Sequence, residues 1–269
     1  MTDSTAKTAL ITGASSGLGV EFARQLAAKN YNLIITARRE RRLADLVVAL
    51  EMKYKITVEQ LAADLSTQEG TQKVSAKIAG LPSLDLLVNN AGFGTVGKFY
   101  NVDPDKHLAM VQVHINAPVL LTRAALPGMI SRKSGAVINV ASMAGIIPIR
   151  SVLYGTTKAF LISFSEALYN DVKDMGIHVQ ALCPGFTLTE FHESPEYTNF
   201  STSSIPKFLW LTAEQVVHES LKTLNSHKVI CIPGNLYRFA GALSRNSITA
   251  GLIISISRLI VQNRYRKLT

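Results

Sequence analysis

The chain is predicted to adopt an α/β fold: a doubly wound, seven-stranded parallel β-sheet with helices on both faces, followed by a basic amphipathic tail. Three observations carry that expectation. Short β-branched or leucine-rich runs alternate with longer amphipathic segments almost from the first residue. Several of the runs are nearly continuously apolar, as strands covered on both faces must be. No repeat, low-complexity tract or Pro/Gly/Ser linker breaks the alternation in 269 residues that are 47% hydrophobic and 17% charged, enough for one large core.

The strand candidates are TALIT (8–12), NLIITA (32–37), ITVEQLA (56–62), LDLLV (84–88), GAVINVA (135–141), IHVQALC (177–183) and HKVICI (227–232). Helical patterns lie between them, near 17–29, 40–53, 67–80, 105–132, 152–175 and 212–226. One domain is therefore expected over residues 1–232, with the tail occupying 233–269. The long segment 186–211 after the sixth strand holds Phe186, Phe191, Tyr197, Phe200, Phe208 and Trp210. Long loops at such a place are usually functional, and its aromatics suggest a lid over an apolar substrate.

The net charge is +9, and residues 234–269 carry Arg238, Arg245, Arg258, Arg264, Arg266 and Lys267 without one acidic residue. Few aromatics lie among these cations, which argues against nucleic acid. Ile248, Leu252, Ile256, Leu259 and Ile260 form a broad apolar face opposite Ser255, Arg258, Gln262 and Arg266. Such a helix must cover something: the substrate cleft or a homodimer or homotetramer interface first, an anionic membrane surface second.

Cys183 and Cys231 are far apart and lack paired spacing, so neither a disulfide framework nor a cysteine metal site is expected. The N-terminus lacks a basic leader. The longest apolar run, ITAGLIISISRLIV, contains Arg258 and falls short of the roughly 20 residues a spanning helix needs. A cytoplasmic protein, at most membrane-peripheral, is the expectation.

Chemistry enters with TGASSGLG (12–19), directly after the first strand. Gly13, Gly17 and Gly19 allow a sharp turn and a close approach of backbone to a pyrophosphate at the helix N-terminus, with Ser15, Ser16 and Leu18 in the same loop. The same letters contain Gly-x-Ser-x-Gly around Ser15, a hydrolase signature. That rival needs a later acid and histidine, and His178, His192 and His227 are poorly placed to activate Ser15. The second strand ends in TARRERR, where an acid would accept from a free ribose 2′-hydroxyl and a base pairs a 2′-phosphate. Arg38, assisted by Arg39 or Ser15, therefore points to NADP(H) rather than NAD(H).

With TGASSGLG, the chain also holds DL at 64–65, NNAG at 89–92, Asn116, INVAS at 138–142, Tyr154-x-x-x-Lys158 and CPG at 183–185. In order and spacing these resemble the short-chain dehydrogenase/reductase family over residues 7 to about 232. The resemblance implies a Rossmann fold and a nicotinamide-dependent oxidoreductase. It implies that Asp64 accepts from the adenine amino group beside Leu65, and that Asn90, Ala91 and Gly92 wall the adenosine side. It implies that Pro184 and Gly185 turn the chain so that Thr187 and Thr189 meet the carboxamide. Finally, it implies that Ser142 donates to the substrate oxygen, Tyr154 is the general acid/base, Lys158 holds the nicotinamide ribose and Asn116 holds a relay water.

A phenol of pKa about 10 suits pH 7 poorly unless its anion is stabilised. A cation about 4 Å away at an effective dielectric near 20 supplies roughly 4 kcal/mol, about 3 pKa units, so Lys158 is sufficient in magnitude. A second pair, Tyr169 and Lys173, lies 15 residues further along the same predicted helix, about 22 Å away, and is expected to be surface. The chain departs from the family pattern in NAP after residue 115, where Pro118 should kink the helix and free a carbonyl near Asn116.

The expected activity is NADPH-dependent exchange of hydride with a carbonyl or alcohol of an apolar substrate: a fatty-acyl derivative, steroid, long-chain aldehyde or bulky ketone. A catalytically silent nucleotide-binding regulator and the Ser15 hydrolase are the alternatives.

Overall fold

A computed structural model describes residues 6–147, 151–193, 205–224, 226 and 228–244. Seven parallel strands form one sheet: β1 (Thr8–Thr12), β2 (Asn32–Ala37), β3 (Val58–Ala62), β4 (Leu86–Asn89), β5 (Gly135–Val140), β6 (Ile177–Leu182) and β9 (Ile230–Cys231). Their order is β3-β2-β1-β4-β5-β6-β9. Two further short strands, β7 (Thr187–Leu188) and β8 (Leu211–Thr212), pair with each other beside it.

The helices are α1 (Gly17–Ala27), α2 (Glu40–Tyr54), α3 (Gln68–Ala79), α4 (Pro104–Val111), α5 (Ala117–Arg132), α6 (Val152–Val172), α7 (Ala213–Thr223) and α8 (Asn235–Ser244). Successive residues of β1 face opposite layers, because side chains alternate across a strand. Ala9 and Ile11 join Phe22 and Leu26 of α1, Leu43 of α2 and Val216 of α7 in one core. Leu10 faces the other layer, with Val74 of α3 and Leu121 and Met129 of α5. The strand order reverses between β1 and β4, which opens a crevice at the carboxyl ends of the strands, where ligands bind in such sheets.

Three boundaries differ from the sequence expectation. β3 begins at Val58, and Glu59 and Gln60 are exposed because it is the sheet's edge strand, where only part of each face is covered. The helix expected over 105–132 is divided into α4, a π-helical turn at Gln112–Asn116, and α5. The last strand shortens to two residues, and residue 227 lies outside the described set. Part of the expected tail is an ordered helix, α8; the amphipathic pattern beyond residue 244 lies outside the described residues, as do 194–204 of the expected lid.

Tyr169 is also not plain surface. Its ring packs against His178 at 5.4 Å between centroids and joins the second core layer, while Lys173 lies beyond the end of α6 and is exposed. Among the described residues no helix is long and apolar enough to cross a membrane.

Candidate active site

The glycine loop is built by close approach. Gly13 has φ of 66°, and a Cβ on it would lie 2.8 Å from Ala91 Cα. A Cβ on Gly19 would lie 2.2 Å from the Gly13 carbonyl oxygen, so only hydrogen fits where α1 starts. The first turn of α1 contains no acidic residue and Ser16 caps it without a side-chain bond, leaving its N–H groups for an anion. The loop is held to β4 by Thr12 Oγ1, which accepts from the Asn90 and Ala91 N–H groups, both at 2.9 Å. Asn90 Nδ2 donates to the Thr12 carbonyl at 2.8 Å. The NNAG stretch therefore braces the loop.

At the end of β2 it is Arg39, next to the Arg38 that the sequence favours for the cofactor, that reaches the glycine loop. Arg39 donates through Nε and Nη2 to Ser15 Oγ at 3.0 and 2.9 Å, and through Nη2 to Ser16 Oγ at 2.7 Å. Arg38 is exposed and forms no ion pair among the described residues. Burial, then the charge of Arg42, lowers the Arg39 pKa, but a guanidinium remains charged in any case. Ser15 thus faces a cation rather than a histidine, which removes the geometry a serine hydrolase requires. Asp64 spends one carboxylate oxygen on its own turn, accepting from Ser66 N at 2.9 Å and Ser66 Oγ at 2.7 Å. Leu65 is buried beside it.

Ser142, Tyr154 and Lys158 come together at the carboxyl end of β5. Gly145 makes this possible: a Cβ there would lie 2.6 Å from the Ala159 nitrogen and the Lys158 carbonyl carbon, so the turn after β5 rests on the backbone of α6. Lys158 is 4% exposed, and its ammonium donates to the Val140 carbonyl at 2.7 Å. Burial holds its pKa down at about 8.

Burial also raises the Tyr154 pKa, with a hydrogen bond from Ser142 opposing. The expectation that Lys158 would depress it is therefore not met, for a geometric reason. The ammonium is turned to the strand, donating to the Val140 carbonyl, and sits 5.7 Å from the ring centroid, so desolvation of the phenolate dominates. The phenol is held protonated.

Asn116 is not at this cluster. It is exposed and its amide donates to Gln112 Oε1 at 2.7 Å. The π turn explains the shift: Ala117 N–H reaches back five residues to the Gln112 carbonyl, and Pro118 has no N–H to offer His114. The extra residue in the turn points His114 inward instead. His114 is fully buried. Its Nε2 accepts from the Phe93 N–H at 3.1 Å and its Nδ1 meets Thr157 Oγ1 at 2.9 Å. Thr157 in turn donates to the Tyr154 carbonyl at 3.0 Å, which assigns the proton to Nδ1. The imidazole lies edge-on to Tyr154 at 5.8 Å, and burial with the nearby Lys158 charge keeps its pKa well below 6.5. The only sequence signal for it was its place two residues ahead of Asn116 in VHINAP, next to a helix-breaking proline.

The turn after β6 is roofed from two sides. Tyr237 of α8 accepts from the Phe186 N–H at 3.0 Å and donates to the Leu209 carbonyl at 2.6 Å. Its ring fills the space in which a Cβ on Gly185 would sit, 2.0 Å away. The buried Pro184 accepts from Met143 N–H at 2.9 Å. Thr187 is buried, Thr189 lies against Gly17, and Phe191 packs against Tyr154 at 6.0 Å. Among the described residues no cluster of three or more metal-ligating side chains exists.

A glycine-cornered loop at a switch point, with a buried lysine and a tyrosine one helical turn apart across the crevice, defines a dinucleotide-dependent oxidoreductase of the doubly wound class. The short chain dehydrogenase family model matches residues 7–198, and the chain belongs to that family. It is an NAD(P)-dependent oxidoreductase acting on the CH–OH/C=O couple.

An uncharacterized oxidoreductase of Bacillus subtilis, YmfI, is 39% identical over 181 residues, covering 66% of this chain and 74% of that protein. A very-long-chain 3-oxoacyl-CoA reductase of Danio rerio, form B, is 31% identical over 223 residues, covering 81% of this chain and 68% of that one. The match spans only 59% of the length of form A. A short-chain dehydrogenase from Sphingobium yanoikuyae in complex with NADPH superposes with a TM-score of 0.81 at 28% identity, covering 88% of this chain and 92% of that one. A bulky-bulky ketone specific alcohol dehydrogenase from Comamonas testosteroni gives 0.77 at 26%, covering 96% and 95%.

Proposed function

We propose that the protein is an NADP(H)-preferring carbonyl reductase for bulky or long-chain apolar substrates, working through Ser142, Tyr154 and Lys158. The observation that carries the reading is the clustering of Tyr154 with Ser142 and the buried Lys158 at the carboxyl end of β5. When bound, the nicotinamide supplies the hydride. Tyr154 gives its proton to the substrate oxygen, Ser142 donates a hydrogen bond to the same oxygen, and Lys158 holds the ribose and compensates the phenolate that forms. His114 stays neutral and keeps the first turn of α6 in place through Thr157.

The residues fit the cofactor along its length. The Gly13–Gly19 loop and the start of α1 receive the pyrophosphate, and Asp64, Leu65, Asn90 and Ala91 line the adenosine, whereas Gly92, expected beside them, lies against His114 and Lys158. Pro184, Gly185, Thr187 and Thr189 bound the carboxamide. Arg39 with Ser15 and Ser16 supports the 2′-phosphate, in keeping with the NADPH complex of the Sphingobium relative.

The apolar substrate class rests on Phe191, Phe186 and Trp210 around the entrance and on the names of the relatives. Long-chain 3-oxoacyl thioesters come first and bulky ketones second. The test is NADPH oxidation with a panel of both, repeated with NADH. Turnover of the long-chain compounds with NADPH is expected. A clear preference for NADH, or for short polar carbonyls, overturns the corresponding half of the reading. A cytoplasmic homodimer or homotetramer is part of the same proposal, checked by light scattering on the purified protein.

A further inference from the structure

The basic corner at the end of β2 already holds an anion, and that anion belongs to the chain. One carboxylate oxygen of Glu190 lies 2.5 Å from Arg42 Nη1 and 3.8 Å from Arg39 Nη1. Arg39 uses its other edge on Ser15 and Ser16, so two guanidinium groups share a single carboxylate and one of them also anchors the serine loop. Glu190 is neither part of α2 nor of the glycine loop. It follows Thr189, whose Cβ would lie 3.2 Å from a Cβ on Gly17.

We propose that the Glu190 carboxylate occupies the place of the cofactor's 2′-phosphate and is thereby a specificity-determining residue. This rests on the NADP(H) reading above. The partners are about half exposed, so their ion pairs are weak enough to exchange. A phosphate offers more acceptor oxygens and more charge to a planar guanidinium than one carboxylate does, so it displaces Glu190. NADP(H) then frees the Glu190 carboxylate, whereas NAD(H), which lacks the phosphate, leaves it clasped to Arg39 and Arg42. The native carboxylate thereby lowers the advantage of the phosphorylated cofactor.

The experiment is calorimetric titration of the full chain and its E190Q variant with 2′,5′-ADP and with 5′-ADP. E190Q is expected to bind 2′,5′-ADP about three- to fivefold more tightly, the size of an exposed ion pair, with 5′-ADP affinity unchanged. An unchanged or weaker affinity of E190Q for 2′,5′-ADP, while the native chain prefers 2′,5′-ADP over 5′-ADP, overturns the proposal and leaves the NADP(H) reading standing. If both proteins bind the two nucleotides equally, the 2′-phosphate reading itself falls, and the proposal with it.

Discussion

Lys158 is a charge that its surroundings resist, and its thermodynamics follow from that. Its folded pKa of about 8 is below the ordinary 10.5, so at pH 7 folding works against an unfavourable ammonium, and between about pH 8 and 10.5 the unfolded chain binds more protons than the folded one. Stability conferred by this residue therefore rises with pH across that window. Lys158→Met is expected to raise stability at pH 7 by about 1–3 kcal/mol, an advantage that shrinks towards pH 10.5, while carbonyl reduction is lost. Urea melts at the two pH values check it. His114 links stability to pH as an unshifted surface histidine does not: because its folded pKa is depressed, the unfolded chain takes up the proton below about 6.5, and stability falls as pH drops. That slope, at most about 1.4 kcal/mol per pH unit, should flatten in His114→Asn in chemical melts from pH 7 to 5. Tyr154→Phe should lower turnover by about two orders of magnitude or more with NADPH affinity nearly unchanged, as measured by fluorescence titration.

At the scale of elements, the site is made where secondary structures meet closely. Gly19 places the first turn of α1 against the Gly13 carbonyl, so Gly19→Ala should push the loop out of shape and weaken NADPH binding at least about tenfold in the same titration. The loss should exceed what helix propensity predicts, since alanine is the better helix former by about 1 kcal/mol. The π turn before α5 is the second such place. It arises because Pro118 cannot donate to the preceding turn, and it exchanges Asn116 for His114 at the centre of the molecule. A helical wheel drawn at a uniform 3.6 residues per turn places these two residues wrongly relative to each other.

For the whole molecule, the consequential piece is α8, part of what the sequence marks as tail. Tyr237 ties the turn after β6 to the segment before β8, so α8 secures the wall beside the proposed nicotinamide position. Tyr237→Phe removes both bonds and leaves the Phe186 N–H without this acceptor. It should cost about 1–3 kcal/mol and loosen the wall. A lower melting temperature and a raised KM for the carbonyl substrate would be the measured signs, and an unaltered KM would limit Tyr237 to a stabilising role.

What the sequence determined by itself was whatever depends on local pattern. Strand runs of TALIT and NLIITA type, the glycine spacing of TGASSGLG and the Tyr154/Lys158 interval each follow from short-range sterics, and so the seven-stranded parallel sheet and the family could be read directly. The tertiary structure decided which of two adjacent arginines reaches the serine loop, which of two residues in VHINAP turns inward, and in which direction the Tyr154 pKa moves. It also decided that Glu190 faces a basic corner some 150 residues away along the chain and that Tyr237 closes over Gly185. These depend on distances between elements remote in sequence, on a one-residue change of helical phase, and on the desolvation that burial imposes. None of the three is encoded in spacing alone.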